Sequence, residues 1–265
     1  MHIIIPIKQV PETSNVKMDE ETGTMRRDGV ESIINPLDLY AIESGITLKE
    51  KYGGKVTVIS MGPASAEKAL REAVAMGCDH GILISGKEFA GSDTWATSKV
   101  LAAAIEKIGD FDLILAGERA TDGDTGQVGP GIASFLDLPL STYTSKLIEV
   151  QVDSITVERL IEEGYEVLKL PRPALLTVVK EISFPRLPTL RGKKRAKSLD
   201  LPVWSAAQLD LPVAQLGLKG SPTRVVKIDR PRVTRGGTIV KTGDQDSIVA
   251  AVEQLVEFLR VKELV

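Results

Sequence analysis

Along the first half of the chain, short unbroken apolar runs alternate with stretches in which apolar residues recur every three or four positions. Unbroken runs suit strands buried on both faces, and the helical period suits helices laid across them. The alternation therefore predicts a mostly parallel α/β sheet. "HIIIPIKQV" (2–10), "KVTVISM" (55–61), "HGILIS" (80–85) and "FDLILA" (111–116) read as its strands. Between them, 35–53 predicts a helix with Asn35 as N-cap, Pro36 at its first position and Leu39, Ile42 and Ile46 on one face. Further helices are predicted over 62–77, stopped by Gly77, over 92–109, and from 129 to 138.

Beyond residue 140 the pattern changes. Three β-like runs in 141–171, broken by "VDS" and "EEG", predict antiparallel hairpins, and "PALLTVV" (173–179) predicts a strand returning to the sheet. From Phe184 the chain is rich in proline and charge and has no clear period until a final amphipathic helix at 245–262. A long irregular stretch is uncommon inside one compact domain, so 184–240 is expected to be an arm that packs on another subunit. The expected division is 1–183, 184–240 and 241–265.

Composition narrows the function classes. With 265 residues, 43% of them hydrophobic and 26% charged, the chain is an ordinary globular one that can bury a full core. Its net charge of −3 gives no reason to expect nucleic acid as a partner. A single cysteine, Cys78, excludes an internal disulfide and a cysteine-rich metal site. Two histidines, His2 and His80, leave little for zinc or for histidine-based catalysis. The opening apolar run is too short for a signal or a membrane span, so a cytoplasmic protein without membrane insertion is expected.

The chemistry concentrates in "GERATDGDTGQVGPG" (117–131), where a glycine-rich loop follows a predicted parallel strand and precedes a helix. Open α/β sheets bind ligands at such strand ends, and glycines let backbone N–H groups converge on phosphate. Thr121, Thr125 and Gln127 add side-chain donors, and the following helix adds its positive end. Asp122 and Asp124 repel phosphate, so they must face away from it, capping turns or accepting from ribose, adenine or the backbone. The other reading is a tight strand-to-helix turn with no ligand. The loop matches neither GxGxxG nor GxxxxGK[ST]. A nucleotide site gains weight because "PIK" (6–8), "INPLD" (34–38) and "SMGPAS" (60–65) also lie at strand ends or helix starts. "FPRLPTLRGKKRAK" (184–197) carries Arg186, Arg191, Lys193, Lys194, Arg195 and Lys197 with no acid and no interleaved aromatic. It is either a solvated basic loop or a docking surface anchored by Leu187 and Leu190.

Taken in order, "KQVPET", "INPLDLYAIE", "SMGPASAEKALREAVAMGCD", "ATDGDTGQVGPGIASFLDLP" and "FPRLPTLRGKKRAK" resemble the β subunits of electron-transferring flavoproteins over essentially the whole chain. The resemblance implies a three-layer α/β/α nucleotide-binding domain with a C-terminal arm packed on an α subunit. It implies adenine-nucleotide contacts along Pro6, Asn35, Pro36, Leu37, Asp38, Met61, Asp122, Gly123, Asp124, Thr125, Gly126, Gln127, Val128, Gly129, Pro130, Gly131 and Ile132. Arg119 is a candidate for a flavin contact, with a surface ion pair as the alternative. Conventional members hold AMP here as a structural nucleotide. Electron-bifurcating members hold a second FAD, which accepts hydride from NADH. The small residues of "DGDTGQVGP" resemble the bifurcating group, because they leave room for a diphosphate and flavin where AMP ends.

The implied partners are the α subunit, an acyl-CoA or hydroxy-acid dehydrogenase, and ferredoxin or flavodoxin. The segment around Leu190 resembles the family's recognition loop, implying docking through Leu187, Leu190, Arg191, Lys193 and Lys194. Because the flavin carries the redox chemistry, no catalytic side chain and no metal ligand are expected. An ATP-binding stress-type or pyrophosphatase domain on a related fold would carry an SGGxDS-like loop after the first strand, and "PIKQVPE" is not one.

Overall fold

A computed structural model describes residues 1–12, 32–226 and 237–264. The strands are β1 (His2–Pro6), β2 (Gln9–Pro11), β3 (Ser32–Ile34), β4 (Lys55–Met61), β5 (His80–Ile84), β6 (Leu113–Gly117), β7 (Leu140–Val150), β8 (Ser154–Ile161), β9 (Gly164–Pro171), β10 (Ala174–Val178) and β11 (Val203–Trp204). Nine of them form one sheet in the order β11-β5-β4-β1-β6-β10-β7-β8-β9. The seven strands from β11 to β7 run parallel, and β7, β8 and β9 form the expected antiparallel hairpins.

Successive residues of each parallel strand enter opposite layers, which is why the runs are apolar without a break. Ile3, Ile5, Val56, Val58, Leu113 and Leu115 pack with Ile42 and Ile46 of α1 (Asp38–Tyr52) and Leu70 of α2 (Glu67–Met76). Ile4, Ile59 and Ile114 pack with Val100, Leu101 and Ile105 of α3 (Thr94–Ile108) and Ile132 of α4 (Val128–Phe135). Helices therefore cover both faces, giving three layers.

Chain order places the ligand edge. From β1 the chain moves outward to β4 and β5, then returns by way of α3 to β6 on the other side of β1. The order reverses between β1 and β6, and such switch points open a crevice at the carboxyl ends of the strands.

The first apolar run is two strands, not one. β1 stops at Pro6, and β2 pairs with β3 in a separate small sheet. The boundary expected near 184 also differs from the structure, because residues 1–226 form one compact unit. Arg186 clamps Glu43 and Glu50 of α1, and α5 (Leu190–Ser198) packs on α2 with Ala196 buried. β11 then extends the sheet edge beside β5. This stretch stays compact through arginine–carbonyl bonds and close backbone approach rather than an apolar stripe. Arg195 donates to the carbonyls of Val74 and Cys78, and Arg71 donates to those of Ala196 and Leu199. α6 (Gly217–Gly220) and Thr223 follow, the latter held by Asp93 at the start of α3. The part of the expected arm at 227–236 lies outside the described residues.

A second unit covers Lys227–Val265 and contains α7 (Gln245–Val261), started by a capping box between Asp244 and Ser247. Ile248, Val252, Leu255 and Phe258 of α7 are exposed. Among the described residues no helix is long and apolar enough to cross a membrane.

Candidate nucleotide site at the sheet switch point

Pro6, Met61 and Gly117 end three neighbouring parallel strands and so lie at one edge of the sheet. The loop that follows Gly117 starts at the switch point, and residues 121–125 are exposed. Among the described residues a Cβ built on Gly123 meets nothing within 4 Å, which leaves this part of the backbone open to a ligand. Gly126 has φ +64°, a left-handed conformation that suits glycine, and Asp124 has φ +53°. α4 begins immediately afterwards, and no side chain caps its first turn. An anion is favoured there.

The later glycines do different work. A Cβ on Gly129 would lie 2.5 Å from Thr177 Cγ2 on β10, and one on Gly131 would run into Ser98 on α3. Both let α4 settle against its neighbours. Ile132, wholly buried, belongs to the core, and Gly129 is buried with it. Of the stretch from Asp122 to Ile132 expected at the nucleotide, Gly129 and Ile132 therefore lie in the core. The open backbone ends near Gln127, whose Oε1 accepts from Thr94 Oγ1 at 3.1 Å. Val128 and Pro130 start the helix behind it.

Both loop carboxylates are matched by cations. Lys8 Nζ lies 2.7 Å from Asp122 Oδ1, and Arg119 Nε lies 2.9 Å from Asp124 Oδ1. Without a ligand Arg119 makes the ion pair, and its side chain stays 46% exposed. Burial pushes the Glu118 carboxyl above its ordinary range, with the neighbouring Arg119 opposing it. Lys8 lies in the strand end expected at this crevice, but it is not in the set of contacts that the resemblance implies.

Asn35 and Asp38 reach the loop in another way than expected. Asn35 does not cap α1, which starts at Asp38 with Leu37 preceding it and no side-chain cap. Its side chain is wholly buried and faces the loop instead. Asn35 Nδ2 donates to Asp38 Oδ1 at 2.9 Å and to the Arg119 carbonyl at 2.8 Å, and Asn35 Oδ1 accepts the Thr121 N–H at 3.2 Å. Asp38 Oδ2 accepts the Lys8 N–H at 2.7 Å. Gly117 makes this possible, because a Cβ there would lie 2.9 Å from the Leu37 carbonyl carbon and strike Asp38. Pro36 is exposed and Leu37 half-buried at the same corner.

A nucleotide fits these residues in three respects. Among the described residues, the loop backbone is open at Gly123, the first turn of α4 has no side-chain cap, and Ser60 Oγ, next to Met61, is buried without a hydrogen-bond partner. A cleft of about 550 Å³ lies beside Trp95, lined by Lys219, Gly220, Ser221 and Pro222. Trp95 follows Thr94 and packs edge-on against Phe135 of α4.

The basic segment resolves into two parts. Arg186 and Arg195 are tied to the body of the protein, while Arg191, Lys193 and Lys194 are exposed on α5. Leu187 and Leu190 are 86% and 87% exposed, a costly display of apolar surface on one short segment. Among the described residues no cluster of histidine, cysteine or acidic side chains could hold a metal ion. Cys78 is buried, and burial pushes its thiol up to about 12.

Residues 22–209 match the family model for the electron transfer flavoprotein domain. The chain is 47% identical to the electron transfer flavoprotein subunit beta of Thermoanaerobacterium thermosaccharolyticum, with all of both chains covered. It is 42% identical to the caffeyl-CoA reductase-Etf complex subunit CarD of Acetobacterium woodii, again over the full length of both. It is 40% identical to the acryloyl-CoA reductase electron transfer subunit gamma of Anaerotignum propionicum, covering 97% of this chain and 98% of that one. With the family model matching residues 22–209 and relatedness over its whole length, the chain belongs to the electron transfer flavoprotein family as a β subunit.

Proposed function

We propose that this β subunit binds FAD at the switch point and works in an electron-bifurcating complex with an α subunit. The observation that carries the reading is the loop backbone around Gly123, open to close approach, followed directly by the uncapped start of α4. Bound there, FAD would supply hydride acceptance from NADH and one-electron transfer toward two acceptors, the α-bound FAD with its dehydrogenase and a ferredoxin or flavodoxin. The chain's own residues bind and orient. The amides of Gly123 to Gly126 and the first turn of α4 would hold the diphosphate. Lys8 and Arg119 bring positive charge to the loop.

Two relatives bear names of CoA-thioester reductase systems, which supports a dehydrogenase partner of the acyl-CoA class. Leu187 and Leu190, with Arg191, Lys193 and Lys194 around them, suit an apolar anchor in a charged rim for that partner. The exposed apolar residues of α7 suit packing on the α subunit.

The deciding measurement is nucleotide content of the chain copurified with its α subunit. Two FAD and no AMP per heterodimer is the expected result. One FAD with one AMP would make the chain a structural and docking subunit without its own redox centre. A folded heterodimer with no nucleotide on β would refute the site.

A further inference from the structure

We propose that Asn35 and Asp38 are positioning residues for the nucleotide loop, with Asp38 fixing the Asn35 amide and that amide setting the backbone at 119–121. The inference rests on the reading of this loop as the nucleotide site. Sequence resemblance makes both side chains candidates for direct contact, but their polar atoms are already committed. Asn35 and Asp38 are 0% and 6% exposed. The amide of Asn35 spends its donors on Asp38 and the Arg119 carbonyl, and its oxygen on the Thr121 N–H. Two residues beyond Thr121 the backbone opens at Gly123.

Asp38 is an acceptor only. Its oxygens face the Lys8 N–H, the Asn35 amide and the Gly117 N–H, so a proton on either oxygen sets a donor against a donor. The ionised form holds Asn35 in place, and the protonated form lets it go. Burial is the largest influence on Asp38 and carries its carboxyl up to about 7, against those three donors and the charge of Lys8. Among the described residues, Glu118, Arg119, Asp122 and Asp124 are the charged groups on the loop, and Lys180 and Glu181 after β10 act on Glu118. Both histidines begin strands at the opposite edge of the sheet, His2 in β1 and His80 in β5.

The sign follows from the contacts. The binding-competent loop needs ionised Asp38, so nucleotide affinity falls as pH drops through about 7. If apparent affinity scales with the ionised fraction, binding at pH 6 is weaker than at pH 8 by about tenfold.

The experiment uses the full chain with FAD as probe, because the FAD diphosphate does not titrate in this range. Fluorescence titrations at pH 6, 7 and 8 give the dissociation constant. Amide hydrogen exchange of 117–124 without ligand, corrected for the intrinsic effect of pH, reads the loop directly. The wild type should bind about tenfold more weakly at pH 6 and exchange faster there at Thr121. Asp38→Asn, which faces an amide donor toward donors, should bind weakly with a flat pH profile and exchange fast throughout. A wild-type affinity constant within twofold from pH 6 to 8, or an Asp38→Asn chain that binds and exchanges like wild type, would overturn the proposal. If that variant does not fold, the wild-type profile and exchange decide alone. Folded protein that binds no FAD at any pH would overturn the nucleotide reading itself, a result distinct from pH-independent binding.

Discussion

Gly123 and Gly129 belong to the same glycine-rich stretch, and replacing each in turn separates ligand from packing. At Gly123 the added Cβ has no neighbour within 4 Å and the residue is exposed. Gly123→Val should therefore change stability by no more than about 0.5 kcal/mol. Its side chain occupies the space through which a phosphate reaches the backbone. A hydrogen bond to a charged group contributes about 1.5–3 kcal/mol, so each lost amide contact should weaken nucleotide binding by about 10- to 100-fold. At Gly129 the added Cβ lies 2.5 Å from Thr177 Cγ2. Carbon atoms settle about 3.5–4.0 Å apart, so α4 and β10 must separate by about 1 Å. Overpacking of this kind costs about 1–3 kcal/mol, which lowers the melting temperature by about 2–12 °C in a unit of this size. Melts without ligand, paired with nucleotide content of the purified chain, read both effects. Gly123→Val protein with wild-type nucleotide content would refute the loop assignment, and Gly129→Ala protein with an unchanged melt would refute the packing argument.

Arg186→Ala strands the Glu43 carboxylate, 9% exposed, and should cost about 2 kcal/mol, less than the ~3–5 of a fully buried pair because the guanidinium is one-third exposed. Burial works to raise Glu43, yet its hydrogen bonds to Arg186 outweigh it and hold the carboxyl below the ordinary range. The pair's contribution is therefore full above about pH 4.5 and lost as pH falls below it, so denaturant melts at pH 7 and 3.5 should show a smaller acid loss in Arg186→Ala than in wild type. Leu190→Ala should slow electron transfer to the dehydrogenase while leaving reduction by NADH unchanged; equal rates to the dehydrogenase would remove Leu190 from docking. Cys78 should resist iodoacetamide at pH 8 in the folded protein and react once denatured, as mass spectrometry can show.

Where apolar periodicity and glycine stops coincide, the sequence is legible almost to the residue. β4 occupies 55–61 as its pattern predicts, and α2 and α3 stop at Gly77 and Gly109. α5 escapes notice because it has almost no apolar face. Gly192 and Ala196 let it lie close against α2, and Arg195 binds carbonyls there. β11 has two residues and takes its pairing from β5. At the site, the glycine-rich loop is visible as a motif, but the division of its glycines between ligand and packing depends on Thr177 and Ser98. Asn35 reads locally as a cap, since the backbone at 119–121 that its amide also binds lies far along the chain.

The same distant partners explain how a loop with two aspartates can receive a phosphate. Asp122 and Asp124 do not leave bare negative charge beside the open backbone, because Lys8 and Arg119 sit on them. Both pairs are solvent-facing, with the lysine and arginine side chains 48% and 46% exposed. Pairs of this kind are worth only about 0–1 kcal/mol each. On the proposed reading, a diphosphate at the loop would draw either cation across at little cost, and the aspartates it leaves would turn to solvent or to a ribose hydroxyl. A buried pair could not serve in this way, since parting it would strand a charge away from water. The burial at this corner is reserved for Asn35 and Asp38, which hold the backbone, while the mobile charge stays at the surface. On the proposed reading, hydrogen-bonded support below and solvent-facing cations above would let the loop take up an anion without parting a buried ion pair.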